Sequence, residues 1–284
     1  MPTISEMVVK VEVPDFPPDE LLISEDGVPL ESDWHAVEIG LLRELAYQHF
    51  GDRQDYFAGG NMFIYFNEQQ LRNRDYRGPD FFFVWGASAT PVRPYWAVWK
   101  EDGRYPNVII ELLSPSTAHE DRTTKKDIYE KIFRTPEYYC YDPENGLLQG
   151  WRLQAGVGVY QSLQTNEKGW LWSDQLKLWL GAWYGRYHRR ETTWLRFFRP
   201  DGALVPTSRE AAKANIAAAR QEAASAKQKA VSAEQKAMSA EQKAVSAEQK
   251  AVSAEQAVDE QRRRAEAAET ELARLRAQLE PKKA

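Results

Sequence analysis

The chain has 284 residues, a formal net charge of -5 and 12% aromatic residues. Its one cysteine excludes an intramolecular disulfide and fits a reducing, cytoplasmic compartment. No apolar run approaches the roughly 18 residues of a membrane span, and the start, MPTISEMVVKVEV, lacks the basic-then-apolar pattern of a secretion signal. The charge is uneven: residues 1–206 hold 22 Lys+Arg against 30 Asp+Glu, a net of -8, and the remainder holds 15 against 12, a net of +3. An acidic front argues against broad, charge-driven nucleic-acid binding, but it leaves room for a local basic groove or a metal-assisted contact.

In chain order, residues 1–32 are rich in Pro, Asp and Glu and read as an extended arm packing on a domain of residues 33–207. Asp33 is placed to cap a helix over Trp34–Phe50, closed by Gly51, with Val37, Leu41, Leu42 and Leu45 as its core stripe. Asp55–Phe66 carries Gly59-Gly60-Asn61 before MFIYF and predicts a strand or hairpin around a tight turn. A polar connection bearing Arg72, Arg74 and Arg77, candidates for phosphate contact, leads to Pro79-Asp80 and the strand FFFVW. Residues 86–106 read as a long loop of the kind that often serves function.

Val108–Leu113 follows, a short run between prolines in which five residues are aliphatic and the sixth is Glu111. This predicts a buried strand, in which a carboxylate is costly unless paired or bound to a cation. After a Ser-Pro-Ser-Thr turn the spacing predicts a helix with Asp121, Lys125 and Tyr129 on one face, Ile128 and Ile132 near it, and Lys126 with Glu130 on the wetter side. Further short strands are expected at Glu137–Asp142, Leu148–Leu153, Gly156–Leu163 and Trp194–Phe198, with Arg186, His188, Arg189 and Arg190 as a second basic cluster. Helix, strands, helix and strands together predict an α/β or α+β domain on one mixed sheet.

From Ser208 on there is no Gly and no Pro until Pro281, and SAEQKAV repeats with period seven. Alanines at 3-4 spacing form the seam of a predicted coiled-coil helix over residues 208–284. With Ala230 at position a, Glu234, Glu241, Glu248 and Glu255 fall at e, and Lys229, Lys236, Lys243 and Lys250 at g. Opposite charges there suit a parallel homodimer, and a homodimer or higher oligomer through residues 208–280 is expected, although an alanine seam buries little and a solvated single helix is the other reading.

Asp80, Glu111 and Lys125 form the chemical constellation. Two carboxylates from neighbouring strands suit a hard divalent cation, and an ammonium beside them can orient a nucleophile or neutralise charge on a phosphodiester. The plain alternative is that Asp80 only begins a strand and Glu111 pairs with Lys125. Asp121 reads either as a helper of the site or as a cap or partner of Lys125. The four histidines, His35, His49, His119 and His188, lack metal-ligand spacing, and no GxxxxGK[ST] is present.

The set PD, then E-L-L-S-P-S-T, then D-x-x-x-K-x-x-x-Y, then E-Y-Y-x-Y-D-P resembles the Uma-two family of restriction-endonuclease-like proteins, a branch of the PD-(D/E)XK nuclease superfamily. The resemblance covers about residues 20–210, including GGNMFIYF. It implies a mixed-sheet nuclease core with Asp80 and Glu111 as ligands to Mg²⁺ or Mn²⁺, the Leu112 carbonyl as a third ligand, and Lys125 as the catalytic lysine. Glu38 or Glu44 on the first helix, and Lys126, are auxiliary candidates. The chain departs from the superfamily pattern at Leu113, where the lysine usually stands. A metal-dependent endonuclease acting on DNA is the expectation; the alternative is a catalytically inactive nuclease-fold scaffold assembled through its coil.

Overall fold

The computed structural model describes residues 22, 32–67, 70 and 78–279, with the backbone alone for 277–279. The predicted N-terminal arm, apart from Leu22 and Ser32, lies outside the described residues, as do Arg72, Arg74 and Arg77. Contacts divide the chain into two units, Met1–Ala211 and Ala212–Ala284.

The first unit opens with α1 (Asp33–Phe50), and its cap is Ser32, not Asp33: the Ser32 hydroxyl accepts the His35 N–H. Strands β1 (Tyr56–Gly59), β2 (Ile64–Tyr65), β3 (Phe81–Trp85), β4 (Trp96–Ala97) and β5 (Val108–Leu112) follow. The Gly59-Gly60-Asn61 segment makes no hairpin. β1 pairs antiparallel with β3, whereas β2 pairs with β4 in a separate two-stranded parallel sheet. The long loop is therefore partly ordered, by β4 and by a 3₁₀ turn at Val98–Lys100.

Where one regular helix was expected, α2 (Ala118–Glu120) runs into a π-helical turn, Asp121–Lys125, and then into α3 (Lys126–Lys131). The chain continues through β6 (Glu137–Asp142), β7 (Leu147–Leu153), β8 (Tyr160–Ser162), β9 (Leu171–Ser173), β10 (Leu178–Tyr187) and β11 (Arg190–Phe198). β9 and β10 were not foreseen. β10, with glycines at 181 and 185, packs against β9 and β11 in a three-stranded antiparallel sheet.

The main sheet has the order β1-β3-β5-β6-β7-β8, with only β5 and β6 parallel. A parallel pair needs a crossover, and residues 113–136 supply it. Alternation along the strands separates two cores. Phe81, Phe83, Ile110, Leu112, Tyr139 and Tyr141 meet α1 and the smaller sheet. Phe82, Val84, Ile109, Tyr138 and Cys140 meet Tyr129 and Phe133 of the crossover. Position 111 falls on the second face, so the crossover, not α1, receives the Glu111 side chain.

In the second unit, α4, which begins in the first and spans Ser208–Leu279, is one uninterrupted helix. At 1.5 Å per residue it is roughly 110 Å long. Among the described residues no helix is long and apolar enough to cross a membrane.

Gly60 explains why the glycine pair precedes the PD motif. A β-carbon there would stand 2.6 Å from the Asp80 carbonyl oxygen and 2.6 Å from Ile39. Gly40, on α1, has nothing within 4 Å of the same atom. Gly60→Ala should destabilise the domain by about 1–3 kcal/mol through forced overpacking. Gly40→Ala should gain up to about 1 kcal/mol from helix propensity. Urea unfolding of the two variants checks both signs.

Candidate active site

Glu111 is the fourth of the five buried residues of β5, and the crossover brings two groups to it. Lys125 Nζ lies 3.3 Å from Glu111 Oε1 and 2.7 Å from Asp121 Oδ1. The Tyr129 hydroxyl donates to Glu111 Oε1 at 2.9 Å. Asp121, Lys125 and Tyr129 thus share one face, as their spacing predicts, with Asp121 and Tyr129 buried. The Tyr138 hydroxyl fastens this turn to the sheet by donating to the Asp121 carbonyl at 2.7 Å.

Asp80 arrives from the start of β3. As a residue it is half-buried, but its carboxylate turns inward, where Oδ2 accepts the Leu112 N–H at 2.7 Å. Its own N–H donates to Glu111 Oε2 at 3.3 Å. The two acids are therefore joined through the backbone, each carboxylate gripping the main chain beside the other. The sequence-predicted Asp80, Glu111, Lys125, Asp121 and Leu112 all converge here.

The charges do not balance. Three carboxylates face one ammonium. Burial pushes Glu111 up to about 8 against the pull of Lys125, with Asp121 and Asp80 adding to the rise. Burial also raises Asp80, opposed by the Leu112 N–H, Lys125 and His35. Burial alone would depress the Lys125 ammonium, but Glu111 and Asp121 outweigh it and hold it above the ordinary lysine range. Among the described residues no three His, Cys, Asp or Glu side chains form a metal cluster. A cation here would rest on Asp80, Glu111 and the Leu112 carbonyl, an all-oxygen set suited to a hard ion.

The other candidates lie elsewhere. Glu38 is fully buried under β11, where Oε2 accepts the Leu195 N–H at 3.3 Å. Glu44 accepts the Ser208 N–H at 2.7 Å and the Tyr187 hydroxyl at 2.9 Å. Lys126 lies over the Trp151 ring, 5.0 Å from its centroid. Glu130, expected on the wetter side, is buried and accepts the Tyr160 N–H, whereas Ile132, expected near the core, is exposed. His188 and Arg189 adopt positive φ in the two-residue turn between β10 and β11. Arg190 pairs with Asp33. Leu113, where the superfamily lysine would stand, is buried in the second core.

Sequence reasoning passed over His35. Its Nε2 donates to the Leu112 carbonyl at 3.1 Å, 77 residues away in the chain. Its position in the first turn of a capped helix gave no metal spacing, because the partner is a main-chain atom.

A mixed sheet that brings acids from two neighbouring strands to a lysine on the following crossover defines a restriction-endonuclease-like nuclease fold. Over residues 19–184, more than half of the chain, the sequence matches the Uma2 family model, "Putative restriction endonuclease", and the chain belongs to that family. This places it among the nucleases at the level of family. No curated protein matches it. A crystal structure titled as that of a putative nuclease belonging to DUF820 from Anabaena variabilis ATCC 29413 is similar at 14% identity. The match covers 57% of this chain and 86% of that one at a TM-score of 0.38.

The raised Glu111 carboxyl has a consequence for stability. The folded chain keeps that proton up to about pH 8, whereas an unfolded glutamate loses it near 4.5. Between those values the native state binds more protons, so stability is greatest below the lower value and falls as pH rises through the upper one. In chelator, unfolding free energy should drop on the order of a few kcal/mol from pH 5 to 8.5. Glu111→Gln should flatten that slope in urea titrations run across the same window.

Proposed function

We propose that this chain is a divalent-metal-dependent endonuclease that hydrolyses phosphodiester bonds, with DNA as substrate and Mg²⁺ or Mn²⁺ as cofactor. The observation that carries the proposal is the charge imbalance at the end of β5: three carboxylates around one ammonium, with Glu111 and Asp80 pushed toward their neutral forms by burial. A divalent ion on Asp80, Glu111 and the Leu112 carbonyl would cancel the excess and, when bound, would polarise the phosphoryl group and activate water. Lys125, held by Glu111 and Asp121, stands ready to orient the attacking water or to meet developing charge on phosphorus. Asp121 acts here as the second anchor of that ammonium. Tyr129 keeps Oε1 of Glu111 turned toward the lysine.

The burial of Leu113 favours a second reading, a nuclease fold that has lost catalysis and serves as a scaffold. Metal binding separates the two. With supercoiled plasmid and Mg²⁺ or Mn²⁺, nicking is expected for the native protein, and Asp80→Ala, Glu111→Ala and Lys125→Ala should each reduce it at least about 100-fold. Thermal shift on the native protein should show metal stabilisation that Asp80→Ala abolishes. Native protein that neither nicks nor shifts is a scaffold.

We propose further that α4 pairs two copies in parallel. Its described residues beyond Ala212 are exposed, and complementary Glu and Lys flank the alanine seam at e and g. Val231, Met238, Val245 and Val252 fall at position b, on the outer side of e, and are exposed. Truncation should spare Glu210, which reaches the buried Arg196 at 2.8 Å. A chain ending at Arg220 should be monomeric by light scattering while the full chain is dimeric. Equal masses would remove α4 as the assembly element.

A further inference from the structure

We propose that His35 is the positioning residue of the site's backbone donor: its Nε2–H, set by Ser32, fixes the Leu112 carbonyl as a ligand for the cation. The inference rests on the metal-site reading above and names a residue that reading does not include.

The ladder ends at Leu112 on one side only. Leu113 N donates to Tyr141 O at 2.7 Å, so the Leu113 backbone faces β6. Neighbouring residues in a strand turn their main-chain groups to opposite sides, so Leu112 faces β3. There the pairing stops at Phe81 opposite Ile110. Two buried main-chain groups are thereby left to side chains, and such groups are rarely left unsatisfied. Asp80 takes the Leu112 N–H and His35 takes the carbonyl. A carbonyl has two lone pairs, so the bond from His35 leaves one for a cation.

The imidazole is itself gripped at both ring nitrogens. A carbonyl only accepts, so Nε2 carries the hydrogen. Nδ1 lies 2.8 Å from Ser32 Oγ. That oxygen already accepts the His35 N–H as helix cap, and its own hydrogen is available for Nδ1. One serine thus caps α1 and holds the ring of the histidine that meets β5. His35 is buried, and Trp34 sets an edge against its ring, 5.4 Å between centroids. α1 reaches the sheet from the face opposite the crossover. The donor set is therefore clamped from both sides: Glu111 by Lys125 and Tyr129, Leu112 by His35.

A tie between helix and sheet with no part in the metal site would also produce this bond. Ion affinity tells the two apart, because groups that orient a ligand change affinity typically by about 10–100-fold on removal. Calorimetric titration of Ca²⁺ and Mn²⁺ into the full chain is the test, with Asp80→Ala as the control that locates the site. His35→Ala should weaken binding about 10–100-fold. His35→Gln, whose amide can donate to the same carbonyl, should restore most of it, and Ser32→Ala should fall between. His35→Ala binding as tightly as the native chain overturns the proposal. So does His35→Gln as weak as His35→Ala with both variants folded by circular dichroism. If His35→Ala does not fold, Ser32→Ala and His35→Gln decide: native affinity in Ser32→Ala, or none regained in His35→Gln, overturns it. A native chain that binds neither ion overturns the metal site together with this inference, whereas native binding lost in Asp80→Ala leaves the site standing whatever His35 does.

Discussion

Three carboxylates share one ammonium at the end of β5, and the surrounding structure is arranged to make that tolerable. A buried charge without a partner is among the most costly features a fold can hold. Here Lys125 sits within 3.3 Å of Glu111 and 2.7 Å of Asp121. Asp80 and Glu111 are each hydrogen-bonded to main-chain N–H groups of the other's segment. These contacts hold the acids together without cancelling them, and burial shifts Glu111 to about 8 in compensation. A core built only for stability would replace such a cluster with apolar side chains of similar volume, commonly at no loss. Stability alone therefore does not account for the excess negative charge.

The geometry follows from strand alternation and from where each ladder ends. β5 gives Ile110 and Leu112 to the α1 face and Ile109 and Glu111 to the crossover face. β3 begins at Phe81, one residue after Asp80, so the Asp80 side chain replaces the next rung of the ladder. The tight approach of Gly60 to the Asp80 carbonyl fixes the start of that strand from the other side. The site thus occupies the point where a regular sheet stops and side chains take over its hydrogen bonds.

Much of this was legible in the sequence. The apolar run around Glu111, the Pro79-Asp80 strand start and the 121/125/129 spacing each encode local geometry, and all of them meet in space. Less legible were features fixed by distant pairing. The Gly-Gly-Asn turn looks like a hairpin locally, yet β1 pairs with β3 and β2 with β4. β10 was missed because its glycines and tryptophans blur the alternation; Gly181 and Gly185 lie where Trp170 and Trp183 leave no room for a β-carbon. Glu130 reads as a wet-side residue by helix spacing, but β8 lies against it and its Tyr160 N–H claims the carboxylate. His35 was invisible because its partner is a carbonyl, which has no signature in a string of side chains.

The placement of Lys125 on the crossover has a structural rationale. Position 113 falls on the crossover face but belongs to an apolar cluster, with Leu113 buried in the same core as Phe133 and Ile109. An ammonium there would be desolvated beside few acids. At residue 125 the ammonium meets two carboxylates, one of them held by a tyrosine hydroxyl, at the expense of requiring a helix to present it accurately. A straight α-helix drifts by about 80° over the eight residues from Asp121 to Tyr129. The π-helical turn over Asp121–Lys125 is wider, with its bond spanning one residue more, and so subtracts from that drift. Asp121, Lys125 and Tyr129 are thereby stacked over one carboxylate, where a regular helix would carry Tyr129 around toward the flank. The irregularity in the helix and the placement of Lys125 are two parts of one solution. The sequence pattern D-x-x-x-K-x-x-x-Y records the residues of that solution but not the underwound turn that makes it work.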